Sequence, residues 1–269
     1  KTMTARDTKL TPPPGLSPDQ LAAWNAYYDP LNAAFAAHPP TGADLVRWRY
    51  QRYLHDYLAC IRAVDESVGR LLAFLDEQGL ADNTIVVYSS DQGFFLGEHG
   101  WFDKRWIFEE SLRTPLLVRW PGVTRPGSVN RDLVSNLDYA ETFLDAAGVP
   151  VPETMQGRSL KPLLEGRRPA DWRTSFYYQY FEYPEPHRVR PHYGVVTDRY
   201  KLVRFAGAGD DYTELYDRQV DPLELRNLLG QPGYTAVQAE LETELARLRR
   251  ELKVPATIPE HWYGPRKAN

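Results

Sequence analysis

Asp91 and Gln92 close the apolar run "TIVVYSS" and are followed at once by Gly93. A charged oxygen beside a neutral one, ahead of a residue that lets the backbone turn sharply, is a donor pair for a hard divalent cation such as Ca2+ or Mg2+. The same triplet also serves as a capped turn after a strand. Lys104 follows in "WFDKRW". An ammonium beside a cation site suits an anionic group such as sulfate or phosphate, through charge-assisted hydrogen bonds. Lysine next to arginine is more often a feature of a solvated face. His99, in "GEHG", is open to three roles: proton donor, substrate contact or structural hydrogen-bonder.

Such groups need a frame. "TIVVYSS" is short and β-branched, the pattern of a central parallel strand, and Asp91 and Gln92 then sit at its carboxyl end, where open α/β sheets place ligands. Upstream, Leu54, Tyr57, Leu58, Ile61, Val64, Val68, Leu71, Leu72 and Leu75 recur at spacings of three and four. That pattern predicts a long amphipathic helix over 45–78 stopped by Gly79, with Cys60 packed next to its apolar stripe. A helix followed by such a strand is half of a βαβ unit. Ser17, Pro18 and Gln20 predict a capped helix start. "TPLLVRW" reads as a second buried strand, and "LVSNLDYAETFLDAAG" as strand end, cap and helix stopped by Gly148. Beyond about Pro169, "TSFYYQYFEY", "HYGVVTDRYKLVRF" and "TELYD" are aromatic, β-rich segments, with "TDRY" as a hairpin turn, before a helix carrying Val237, Leu241, Leu245, Leu248 and Leu252 on one face. The expected fold is α/β: a sheet flanked by helices over 1–169, then a small antiparallel sheet with a helix over 170–269.

Composition narrows the partners. A net charge of -4 offers no clustered cationic excess for neutralising nucleic-acid phosphates. No apolar run approaches the ~20 residues that span a bilayer. The single cysteine rules out an internal disulfide framework and a cysteine-based zinc site within this chain. Lys1 stands where a start methionine would, which suggests a processed or excised piece.

The order "SSDQGFFLGEHGWFDKRWIFEESLRTPLLVRWPG" resembles the sulfatase family of the alkaline-phosphatase superfamily. In that family a strand ends in Ser-Asp, then His, Asn or Gln, then Gly; a G-E/D-H-G segment, a lysine and "EES.R.PLLVRWPG" follow. The likeness continues back through "YLACIRAVDESVGRLLAFLDEQGLADNTIVVY" and forward through "TDRYKLVRF" and "ELYDRQVDPLELRNL". The Asp-Gln variant is most similar to bacterial N-acetylglucosamine-6-sulfatases and other glycan sulfatases. The resemblance implies the C-terminal part of an alkaline-phosphatase-like sheet flanked by helices. It makes Asp91 and Gln92 ligands of Ca2+, with Mg2+ as the other candidate, and Lys104 the contact to the sulfate. His99 matches a position near the site without a fixed role. It implies hydrolysis of a sulfate ester, a sulfated carbohydrate as substrate, and a periplasmic or secreted setting. In "YYQYFEYPEPHRVRPHYG", His187, Arg188, Arg190 and His192 are placed in a loop that either reaches a sulfated sugar, with stacking from tyrosines, or forms a mixed-charge surface.

One element of the family pattern is missing. Family members carry C/S-x-P-x-R, whose Cys or Ser becomes formylglycine, the nucleophile. Cys60 is followed by "IRAV", and no serine here satisfies the pattern. The expectation is that formylglycine and the remaining metal ligands belong to an N-terminal sulfatase segment outside this chain, so that the chain alone is inactive. Two alternatives stand beside this reading: a non-catalytic module that binds sulfated glycan or serves a structural role, and a phosphoester or phosphonate hydrolase of the same superfamily.

Overall fold

The structure is a computed structural model and describes residues 3–183, 187, 189–206 and 212–255. The chain divides into two compact units, Lys1–Thr84 with Phe95–Phe102, and Ile85–Phe94 with Asp103–Asn269. The boundary expected near residue 170 falls inside the second unit.

The first unit holds α1 (Pro18–Ala37) and α2 (Gly42–Glu77). α1 starts on the capping box expected from sequence: the Gln20 amide N–H donates to Ser17 Oγ, and the Ser17 amide donates to Gln20 Oε1. The two helices meet through the stacked Phe35 and Trp48 rings, 4.1 Å apart. Arg52 adds a polar tie, donating to the Thr8 carbonyl and to Asn32 Oδ1, each at 3.1 Å. α2 ends as its glycine predicts: Gly79 takes φ 63, and the Leu80 amide reaches the Leu75 carbonyl at 2.8 Å. The apolar periodicity of α2 is real, yet none of its residues is buried, and Leu58, Leu71 and Phe74 are more than half exposed. Cys60 is exposed as well, which corrects its reading as a packed side chain.

The second unit begins with β1 (Val86–Ser89), followed by a short α3 (Glu109–Leu112) and β2 (Leu116–Arg119). β1 pairs with β2 antiparallel, Val86 opposite Arg119 and Ser89 opposite Leu116. The parallel partner expected for "TIVVYSS" is therefore not what the described residues contain: four apolar residues signal burial on both faces, which either strand direction satisfies. α4 (Asp138–Ala146) and α5 (Lys161–Leu164) supply the layer against this ribbon, with Tyr139 and Leu164 packing beside Leu116, Leu160, Leu163 and Trp172. The strand end expected at the start of "LVSNLDYAETFLDAAG" is not present; a turn precedes α4 there, in which Asp138 Oδ2 accepts the Ser135 amide at 2.7 Å.

β3 (Ser175–Tyr180), β4 (His192–Thr197), β5 (Tyr200–Phe205) and β6 (Tyr212–Asp217) form one antiparallel meander in that order. "TDRY" is its hairpin turn, closed by the Tyr200 amide on Thr197 Oγ1 at 2.8 Å. α6 (Thr235–Glu251) buries Leu241, Leu245 and Leu248 against Val195, Leu202 and Leu215. The opposite face carries Val196, Val203 and Phe205, and Ile107 packs on it, flanked by Trp106 and Leu112. The segment between Lys104 and β2 is thus the second cover of this sheet. Gly194 is required for that cover: a Cβ there would stand 2.3 Å from the Leu202 carbonyl oxygen and 3.0 Å from Ile107 Cδ1.

Candidate cation and sulfate site

Asp91, Gln92 and Gly93 follow β1 directly. The end of that strand is tied to α4, since Tyr139 Oη lies 2.6 Å from Ser89 Oγ. Ser90 Oγ donates to the Gln92 carbonyl at 2.8 Å, which folds the turn back on itself. The Gly93 amide then donates to the Ser111 carbonyl at 2.6 Å. A side chain is excluded at this point, because a Cβ on Gly93 would stand 2.0 Å from the Glu110 carbonyl oxygen.

Ser111 also serves Lys104. Its buried hydroxyl donates to the Lys104 carbonyl at 2.5 Å. One residue of α3 therefore grips both the Asp-Gln-Gly turn and the lysine backbone. Lys104 is held from its other side by its amide, which donates to Asp103 Oδ1 at 2.6 Å. Burial would raise the Asp103 carboxyl, but the Lys104 amide and the Arg105 guanidinium outweigh it and hold the group below its ordinary range.

The side-chain groups divide cleanly. Asp103 is paired with Arg105 at 2.8 Å, and Glu109 with Arg218 at 2.7 Å. Among the described residues, no hydrogen bond or ion pair engages the Asp91 carboxylate, the Gln92 amide or the Lys104 ammonium. These are the groups that sequence singled out. Two oxygen donors, one of them charged, fit part of the shell of Ca2+, which takes six to eight oxygens. They do not complete it, and among the described residues no three His, Cys, Asp or Glu side chains gather as a metal site.

The remaining candidates are dispersed. His99 belongs to the first unit, where it adopts φ 54 and its ring stacks on Trp101 at 5.6 Å, edge-on to Phe95. His187 Nδ1 lies 2.9 Å from Glu182 Oε1, and Glu182 Oε2 stands 3.6 Å from Arg105 Nε. That chain of contacts connects His187 to the residue after Lys104. Hydrogen bonds from Tyr180, and then from His187, hold the Glu182 carboxyl below its ordinary range. Arg190 lies over the Tyr212 ring at 5.2 Å. Arg188 lies outside the described residues. Sequence reasoning passed over Asp103, Arg105, Glu182 and Ser111, whose roles depend on contacts between distant segments.

His192 is the first residue of β4 rather than a loop residue, and it is fully buried. Its imidazole stacks among Trp106, Tyr178, Tyr180 and Phe205, and Nδ1 lies 2.8 Å from the Arg190 carbonyl oxygen. The cause of the correction is strand register: His192 shares a sheet face with Val196, so it points into the core. Burial pushes its pKa down to about 4, against the opposing pull of the Arg190 carbonyl. In the unfolded chain the group titrates near 6.5 and so binds the proton that the folded state refuses. The stability this contributes, roughly 3 kcal/mol, is present above pH 6.5 and lost as pH falls toward 4. Unfolding free energy measured across that window should show the slope, and His192→Phe should flatten it; an unchanged slope would assign the acid sensitivity to other groups.

Comparison with known proteins bears on the family and the fold. Residues 14–149 match the family model described as "Sulfatase", and residues 97–251 match "N-sulphoglucosamine sulphohydrolase, C-terminal". The chain is 47% identical over 232 residues to a curated N-acetylglucosamine-6-O-sulfatase of Bacteroides thetaiotaomicron, covering 86% of this chain and 41% of that protein. It superposes with a TM-score of 0.85 and 45% identity on a structure determined in complex with its substrate, D-glucosamine-2-N,6-O-disulfate, covering 90% of this chain and 49% of the other. A phosphonate monoester hydrolase from Silicibacter pomeroyi superposes with a TM-score of 0.69 at 29% identity, covering 81% of this chain and 44% of the other. The chain spans under half the length of these relatives. Two family models that each match half of the chain or more show that it belongs to the sulfatase family of the alkaline-phosphatase-like superfamily.

Proposed function

We propose that this chain supplies cation and sulfate ligands to a sulfuric ester hydrolase acting on a sulfated glycan. The observation that carries the reading is that among the described residues no hydrogen bond or ion pair engages the Asp91, Gln92 and Lys104 side chains, while Ser111 holds both the Gly93 amide that follows the first two and the Lys104 carbonyl, and the charges beside them are spent on ion pairs. Asp91 and Gln92 would hold Ca2+, or Mg2+ in its place. When bound, the ion would offset negative charge on a sulfate oxygen. Lys104 would donate to the sulfate oxygens and stabilise the charge that builds as the S–O bond to the sugar breaks. His99 is assigned no step. The reading gives this chain no nucleophile, because Cys60 lacks the proline and arginine of the formylglycine pattern. A separate N-terminal sulfatase segment would supply formylglycine, and the chain by itself is expected to be inactive.

The substrate part rests on the relatives. The named N-acetylglucosamine-6-O-sulfatase and the complex with a glucosamine disulfate favour a 6-O-sulfated amino sugar. His187 and Arg190, with Arg188 and His192, are the sugar-side candidates, although the burial of His192 leaves it a supporting place at most. The likeness to a phosphonate monoester hydrolase keeps a second reading open. A periplasmic or secreted setting goes with the first reading; among the described residues no helix is long and apolar enough to cross a membrane.

Calorimetric titration of the chain with calcium tests the ligand assignment. Asp91→Asn should weaken binding by about ten-fold or more, since hard cations select charged oxygens. Equal affinity in the wild type and the variant would remove Asp91 from the site. Turnover of an aryl sulfate by the chain alone would overturn its assigned inactivity. In a whole enzyme containing it, faster cleavage of a phosphonate monoester than of a 6-O-sulfated amino sugar would favour the second reading.

A further inference from the structure

Lys201, on β5 of the four-stranded sheet, is fully buried on the face that Val203 and Phe205 share. A lysine there is costly to bury unless every donor is engaged. Its Nζ donates to the Ile107 carbonyl at 2.7 Å and to Glu109 Oε1 at 3.2 Å, and stands 2.6 Å from Glu224 Oε1. Two hydrogen bonds and one ion pair thus surround the ammonium. Glu224, itself buried, turns its other oxygen to the Glu109 amide at 2.9 Å. Glu224 adopts φ 51, a left-handed backbone that a glutamate takes only under constraint. Arg218 completes the cluster on Glu109.

The cluster is aimed at α3. It captures the carbonyl two residues before α3, and the amide and carboxylate of its first residue. Two residues further on, Ser111 accepts the Gly93 amide and donates to the Lys104 carbonyl. Both halves of the candidate site therefore hang from a helix of a single turn. So short a helix has little stability of its own.

We propose that Lys201 is a positioning residue: with Glu224 and Glu109 it anchors α3 to the sheet, and through Ser111 it sets the Asp91-Gln92-Gly93 turn and the Lys104 backbone in register with each other. The functional meaning of that register rests on the reading of Asp91, Gln92 and Lys104 as cation and sulfate groups. The anchoring itself does not.

Hydrogen exchange on the chain tests it. Lys201→Met keeps an unbranched side chain, one heavy atom shorter, and removes its charge. The expected result is a rise of about ten-fold or more in exchange at the Gly93, Glu109 and Arg113 amides, with the amides of β3 and α6 unchanged, as befits local rather than global opening. Glu224→Gln keeps an acceptor for the Glu109 amide while weakening the pair to Lys201. It should give the same pattern at smaller amplitude, and it carries the test if Lys201→Met fails to fold. A uniform rise across the sheet and α6, or no rise at Gly93, overturns the proposal. Calcium titration of the wild type is a separate result: its failure would remove the cation reading and leave the exchange pattern to decide the anchoring.

Discussion

Lys104→Ala is expected to lower turnover of a sulfate ester by roughly 10^2- to 10^3-fold in an active enzyme containing this chain, the loss typical of removing one donor from a developing anion. The backbone at this position is fastened independently of the ammonium, by the Asp103 carboxylate on one side and the Ser111 hydroxyl on the other. Among the described residues the ammonium has no hydrogen-bond or ion-pair partner to lose, so the unfolding midpoint should stay where it is. Calcium affinity should also persist, because the oxygens assigned to the cation lie on another segment. The combination of lost kcat, retained metal binding and retained stability is what marks a group that acts on the substrate. Wild-type turnover in Lys104→Ala would end the assignment, and a fall in stability of the same size would reduce the residue to a structural one.

The largest expected effect on stability lies away from the site, at Asp138. Its carboxylate is fully buried and accepts the Ser135 amide at 2.7 Å and the Arg158 amide at 2.9 Å. Arg173 grips it with both terminal nitrogens, at 2.5 and 2.6 Å. Removing one partner of such a pair leaves the other desolvated and uncompensated, at a cost of about 3–5 kcal/mol. Against a typical total of roughly 5–15 kcal/mol, Asp138→Ala should shift the urea midpoint far or abolish folding. Removing both charges, as Asp138→Ala with Arg173→Met, should recover a substantial part of the loss, since the stranded guanidinium goes with its partner. If the double variant were as unstable as the sum of the single ones, the pair would be contributing nothing as a pair.

These two sites differ in how legible they were. Asp91, Gln92 and Lys104 could be found because their types and order in the chain are unusual together. Asp138 gave no such signal: an aspartate at a helix start normally reads as a cap, and its pairing with Arg173 joins segments far apart in sequence. The same contrast holds for the histidines. His187 and His192 looked alike within one polar, aromatic stretch. Strand register then sent His192 into the core, while His187 stayed partly exposed beside Glu182. Helices fared best. The cap of α1, the length of α2 and its glycine stop depend on neighbours within a few residues, and each came out close to expectation.

The sequence by itself determined the element types, the turn at "TDRY", the Asp-Gln-Gly and lysine constellation and, through its motifs, the family. All of these are encoded by local periodicity or by residue order, which survive without knowledge of long-range contacts. Only the tertiary structure decided the antiparallel pairing of β1, the exposure of the α2 stripe, the burial of His192 and the anchoring of α3 by Lys201. Lys201 shows the reason. In "YKLVRF" it alternates with Leu202 as a solvent-facing lysine would, and period-two alternation says only that the two faces differ. Which face is covered depends on what packs there, and here the covering piece is the loop that carries Lys104, nearly a hundred residues upstream.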